Sequence, residues 1–238
     1  MRTFVNGSTP VVLLVHGAFA DASGWSGVIT WLQNAGIDVL APANPLRGIA
    51  SDGAYLAGVV SGIDGPVLLV GHCYGGAVIT QAAAQVDNVV GLVHVAGFAL
   101  AEGETMLAVT TQFPDTLLAA ALRPTVHAEL CLARDRYREV FAADVPERVA
   151  SVAAVTQRPI AAAAFEEPRT GATRRLPSWY VVAAADRAIH PDAQRLMARR
   201  ISADTIEIDA SHAITQSRPA EVAAHIRTAA GTFQADPI

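Results

Sequence analysis

The sequence predicts an α/β fold: a mostly parallel central sheet flanked by helices, with an inserted helical lid. Three observations carry that reading. Strand and helix signals alternate along the 238 residues, and such alternation favours parallel strands joined by crossover helices. The strand candidates are near-continuous apolar runs, as strands covered on both faces require. Between residues 99 and 177 the alternation breaks, which places a lid inside a single domain spanning 1–238.

The strand candidates are residues 11–16, 37–41, 67–70, 89–95, 179–184 and 205–208. The helix candidates are 24–35, 52–63, 74–85, 192–200 and 219–230, with Ser51 and Ser217 as N-cap candidates for two of them. The 99–177 stretch carries no strong strand signal. Pro114, Pro124, Pro146, Pro159 and Pro168 divide it into short helical pieces. A lid inserted there would cover the C-terminal edge of the sheet, where open parallel sheets hold their ligands.

Composition narrows the function classes. Apolar residues make up 52% and charged residues 16%, ample for a large core. With 17 basic and 22 acidic side chains and a net charge of −5, there is no basic stripe, which argues against a nucleic-acid partner. No run approaches the ~18 apolar residues of a membrane span. The first ten residues lack the apolar core of a signal peptide. Cys73 and Cys131 form no metal-type pair, so the expected setting is reduced and cytoplasmic. Neither a G-x-G-x-x-G turn after a strand nor a P-loop occurs, and no clustered ligand set suggests metal; the expectation is chemistry without a cofactor. A homodimer stays open.

The most informative segment is Val67-Leu68-Leu69-Val70-Gly71-His72-Cys73-Tyr74-Gly75-Gly76. An apolar strand, a Gly-x-Cys-x-Gly turn and a small-residue helix form the context of a nucleophile elbow, a sharp turn that lifts one side chain into a pocket. Gly71 and Gly75 flank the turn because larger side chains would strike the neighbouring strand and helix. Cys73 stands at the tip, where the G-x-S-x-G pattern has serine. A nucleophile there needs a base, and the base needs an orienting group. Asp186 ends the strand candidate at 179–184, and His212 follows the one at 205–208, so all three groups fall at the same sheet edge. Two backbone N–H groups would form an oxyanion hole. These are Tyr74, at the start of its helix, and Ala18, in the loop after the first strand, where Gly17 permits a tight turn. His16 reads as a brace for that loop.

Blander readings exist for each residue. Cys73 could be a buried structural thiol, Asp186 a capping carboxylate before Pro191, and His212 a solvated turn histidine. Glu102 and Glu104 are rival acids, but both lie several residues past their strand. His94 reads as a hydrogen-bonded core residue, and His127, His190 and His225 as structural or exposed. Cys131 reads as inert lid packing. Phe19, Phe98 and Phe113 are the substrate-binding candidates, with Phe165 a further aromatic of the lid.

In these motifs the chain resembles the α/β-hydrolase family, in the small, lidded esterase branch that also holds hydroxynitrile lyases and plant methylester esterases. The His16-Gly17-Ala18-Phe19 loop, the Gly71-His72-x-Tyr74-Gly75-Gly76 elbow, Asp186-x-x-Ile189-x-Pro191 and Ser211-His212-Ala213 match by position. The match runs from about residue 11 to 226 and is weakest in the lid. The resemblance implies hydrolysis of a small apolar carboxylic ester or lactone through Cys73, His212 and Asp186. Other branches catalyse C–C bond hydrolysis, cofactor-free peroxidation or cyanohydrin cleavage, and a ligand-binding or impaired relative is a further alternative. Cyanohydrin cleavage usually needs a pocket lysine, and this chain contains no lysine. Cys73 departs from the family serine. It is either a native thiol, as in dienelactone-hydrolase relatives, or a replacement of serine. Because sulfur is larger than oxygen, the expectation is acylation without efficient turnover.

Overall fold

A computed structural model describes residues 9–171 and 174–233; most of the N-terminal segment read above for a signal peptide lies outside them. The first half of the chain builds β1 (Val11–Val15), α1 (Ser26–Asn34), β2 (Val39–Leu40), α2 (Ile49–Ser61), β3 (Val67–His72), α3 (Tyr74–Ala83) and β4 (Val89–Val95). An insertion follows, with α4 (Met106–Thr110), α5 (Leu118–Ala121), β5 (Leu122–Pro124), β6 (Glu129–Leu132), α6 (Arg134–Phe141), α7 (Glu147–Thr156) and β7 (Ile160–Ala161). The chain then returns to the core with β8 (Ser178–Ala183), α8 (Pro191–Arg200), β9 (Asp204–Ile208), α9 (Ile214–Ser217) and α10 (Pro219–Gly231).

Six strands form the main sheet in the order β2-β1-β3-β4-β8-β9, and every neighbouring pair is parallel. Side chains alternate across it. Leu13, Val15, Val67 and Leu69 join one core with α2, α3 and α8, while Val12, Leu14, Leu68 and Val70 join a second core with α1 and α10. Both faces are therefore apolar, which explains the unbroken hydrophobic runs in the sequence. Among the described residues no helix is long and apolar enough to cross a membrane.

Three expectations need correction. The insertion is not purely helical: β5, β6 and β7 pair antiparallel into a small second sheet. Ser51 does not cap α2. It lies inside the helix and bonds the Gly48 carbonyl, and Glu167 of the insertion accepts from the Ile49 and Ala50 amides at 2.7 and 3.0 Å. Ser217 ends α9, and the residue before α10 is Arg218, which offers no side-chain cap.

Candidate active site

Cys73 joins β3 to α3 with φ 54° and ψ −123°, a left-handed conformation that costs a non-glycine residue on the order of 1–3 kcal/mol. The surrounding glycines make the turn possible. A Cβ on Gly71 would sit 2.4 Å from the Gly75 carbonyl oxygen, and one on Gly75 would sit 2.4 Å from the Val15 oxygen. Gly17 lets the loop after β1 press on the turn, since a Cβ there would lie 2.5 Å from Cys73 Cβ.

That loop and the start of α3 present unused donors. The amides of Ala18 and Tyr74 have no acceptor among the described residues. The next amide along, Phe19, is already committed to the Arg158 carbonyl at 3.1 Å. Phe19 has φ 59°, and its own carbonyl accepts from the Tyr137 hydroxyl at 3.0 Å. His16 does brace the loop: its Nε2 accepts from the Asn44 amide at 2.9 Å, and Asn44 Nδ2 donates back to the His16 carbonyl. The Tyr74 hydroxyl donates to buried Asp52 at 2.7 Å, tying the first residue of α3 to α2.

His212 and Asp186 meet beside Cys73. His212 Nδ1 lies 2.6 Å from Asp186 Oδ2, and both side chains are fully shielded from solvent. Four donors surround the carboxylate: the Ala188 and Ile189 amides on Oδ1, and Gln194 Nε2 with His212 on Oδ2. The opposite ring nitrogen, Nε2, is buried and meets no group in standard hydrogen-bond geometry. Cys73 is the group that acts on it. Burial opposes charging the ring, yet the Asp186 carboxylate and the Cys73 sulfur outweigh burial and raise the His212 pKa to about 10. The ring is held edge-on by Phe141 at 4.6 Å between centroids.

The rival acids are engaged elsewhere. Glu104 pairs with Arg200 at 2.6 Å and accepts from the Ala101 amide; the Glu102 charge acts on Arg169. Cys131 lies on β6 in the insertion, its sulfur 3.6 Å from the Arg123 carbonyl. His190 caps α8 by accepting from the Asp192 amide, and His225 Nε2 lies 3.3 Å from the Asp204 carbonyl. His94 is a correction: it is fully buried, but neither ring nitrogen has a hydrogen-bond partner among the described residues. Instead it stacks on Tyr180 at 5.8 Å.

Above Cys73 lies a pocket enclosing about 320 Å³ of space, its mouth included. Phe19, Phe98 and Phe165 line it, with Met106, Phe141 and Ile160. Phe113 does not. It follows α4, and its ring stacks on His190 at 5.9 Å, so its assignment to the pocket is corrected. Among the described residues, His212 is the one titratable imidazole, carboxylate or guanidinium side chain lining the space. Sequence reasoning missed Gln194, Tyr137 and Phe141; Tyr137 and Phe141 reach the site across long chain separations, Gln194 from eight residues past Asp186.

Comparison with solved structures places this architecture. A pyrethroid hydrolase from Sphingobium faniae JZ-2 aligns with TM-score 0.79 over 94% of this chain and 98% of its own, at 22% identity. An extracellular alpha/beta-hydrolase from a Paenibacillus species aligns with TM-score 0.76 over 95% and 100%, at 20% identity. A methylesterase from Arabidopsis aligns with TM-score 0.75 over 93% and 99%, at 18% identity. At these identities the likeness is one of fold. No curated protein matches the chain. The model of the Alpha/beta hydrolase family matches residues 12–225, and the chain belongs to that family.

Proposed function

We propose that the protein hydrolyses a small, uncharged carboxylic ester or lactone through an acyl-thioenzyme on Cys73. One observation carries this reading: the buried 2.6 Å contact of His212 with Asp186 beside a thiol at a strained turn, under two amides that lack acceptors. His212, its pKa raised to about 10 by the Asp186 carboxylate and the Cys73 sulfur, holds the proton the two groups share as the sulfur attacks the carbonyl carbon. The Ala18 and Tyr74 amides bind the oxygen as it gains charge, the stage at which fixed donors act most strongly. His212 then gives its proton to the departing alkoxide, and the C–O bond breaks to leave a thioester. A water deprotonated by His212 attacks the thioester; the acid leaves and the thiol is restored. Asp186 holds the imidazole in the required tautomer and balances its charge. The apolar lining favours an uncharged acyl group.

The test is incubation with a short p-nitrophenyl ester, followed by intact mass and nitrophenolate release. The reading expects an acyl adduct on Cys73 that Cys73→Ala abolishes, with release slower after the first turnover than in Cys73→Ser. An unmodified protein and no nitrophenolate would leave a ligand-binding scaffold instead. Turnover equal to that of Cys73→Ser would overturn the trapped-thioester expectation.

A further inference from the structure

His72, the last residue of β3, sits next to the nucleophile in sequence and is buried. Its Nε2 lies 2.9 Å from the main-chain carbonyl oxygen of His212. A carbonyl only accepts, so Nε2 carries the hydrogen and the ring is that tautomer. The His72 ring rests on the His212 ring at 4.7 Å between centroids. Trp25 at 6.2 Å and Phe141 at 6.1 Å hold it edge-on from two other sides.

We propose that His72 is a positioning residue for the base: it grips the His212 backbone from the position adjoining Cys73. The inference rests on the roles given above to Cys73 and His212. Because residues 72 and 73 are consecutive, the grip ties the base to the residue beside the sulfur, with no intervening flexible segment. The lid fixes the same loop from the other side, through the Ala213 amide on the Phe141 carbonyl at 2.7 Å. Without His72 the His212 carbonyl loses its partner on the sheet side, and the imidazole is held by Asp186 and Phe141 without the tie that runs to the residue beside the sulfur.

The charge state suits the task. The titratable groups around His72 are His212 against its ring, His16 further off, and Asp21 across a small cavity that His72 also lines. Burial, reinforced by the charge of His212, pushes the His72 pKa down to about 3. The ring therefore stays neutral while His212 gains and loses its proton, and the two rings never carry like charge together. His94 is an internal contrast: it is buried and neutral too, but has no hydrogen-bond partner among the described residues.

Two replacements separate the donor from the packing. His72→Phe keeps an aromatic ring between Trp25 and Phe141 but has no donor. His72→Gln keeps an N–H on a comparable arm. Acylation is followed by the nitrophenolate burst over a range of ester concentration, and His212 by NMR titration of ¹³C-labelled histidine. His72→Phe is expected to lower the acylation rate constant at saturating ester about 10- to 100-fold. The half-saturating concentration should stay within about twofold, since the pocket lining is untouched. The His212 midpoint should fall from its value of about 10, and His72→Gln should recover both rate and midpoint in part.

Acylation by His72→Phe within twofold of the parent, with the His212 titration unmoved, would overturn the proposal. So would equal defects in His72→Phe and His72→Gln. If His72→Phe does not fold, His72→Asn, whose arm is too short to reach the carbonyl, takes its place in the comparison with His72→Gln. Failure of the underlying functional reading looks different: the unmodified protein itself would give neither burst nor adduct.

Discussion

Gln194 lies fully buried on α8, and its replacement by methionine tests how the acid is held. Its Nε2 donates to Asp186 Oδ2 at 2.7 Å and to the Ile189 carbonyl at 2.9 Å, while its Oε1 accepts from the Ala183 amide at 3.0 Å. Methionine nearly matches glutamine in volume, so the cavity contribution is small and the effect is polar. Two neutral hydrogen bonds at about 1 kcal/mol each and one to a carboxylate at about 1.5–3 kcal/mol sum to a loss of about 3–5 kcal/mol in unfolding free energy. That is a large share of a total typically near 5–15 kcal/mol. Activity should suffer less. Asp186 keeps the Ala188 and Ile189 amides and His212, so acylation should drop about tenfold, against roughly 10⁴-fold for Asp186→Asn, which removes the charge facing the imidazole. Urea unfolding and burst kinetics on both variants read the two effects separately. A destabilisation below about 1 kcal/mol, or acylation as poor as in Asp186→Asn with full stability, would refute the view that Gln194 anchors the acid structurally.

Gly17→Ala should abolish acylation, by about 100-fold or more, because the new Cβ falls 2.5 Å from Cys73 Cβ and 2.9 Å from the His72 oxygen, displacing both Cys73 and the loop; nitrophenolate bursts measure it. Phe113→Ala should change kcat/KM less than about threefold, whereas Phe165→Ala, which opens the pocket lining, should lower it about tenfold. The folded-state pKa of His94 is depressed by burial to about 4, below the ordinary 6.5, so its contribution to stability is intact above pH 6.5 and drains as pH falls toward 4. His94→Leu should therefore flatten the pH dependence of the urea-unfolding free energy by about 1.4 kcal/mol per pH unit between pH 6 and 4. His212, with its pKa raised, acts in another window: its stabilisation is full below pH 6.5 and is lost as pH rises through about 10.

What was legible in the sequence was what neighbours decide. A strand–turn–helix is local, and the Gly71 and Gly75 contacts that demand glycine arise within the turn or one strand away. The strand at 89–95 was read to the residue, because continuous β-branched runs bounded by polar turns have few other outcomes. The errors share a cause: the deciding partner was remote. Ser51 is a good cap by type, yet Glu167, over a hundred residues away, reaches the α2 amides first. β5 contains Pro124, which argues against a strand, and it pairs only because β6 folds back on it. His94 looked like a residue that must find a partner, and no pattern reveals that its neighbours supply none. Gln194 carries no signal at all, since a helical glutamine is ordinarily solvated.

The insertion between β4 and β8 is more than a cover, and this changes how the site should be regarded. Its Tyr137 hydroxyl holds the Phe19 carbonyl, and its Arg158 carbonyl takes the Phe19 amide; together they fix the loop in which the Ala18 amide has no acceptor among the described residues. Its Phe141 packs on the His212 ring and accepts from the Ala213 amide, and its Asp144 accepts from the Ser211 hydroxyl. The loop that presents an amide to the pocket and the loop that carries the imidazole are thus both fastened to the insertion. The sheet supplies direction, through the ends of β1, β3, β8 and β9, while the insertion supplies register. Changes in α6 should accordingly register as altered acylation chemistry and not only as altered substrate access, because the precision a near-attack geometry needs is finer than the reach of either loop left to itself.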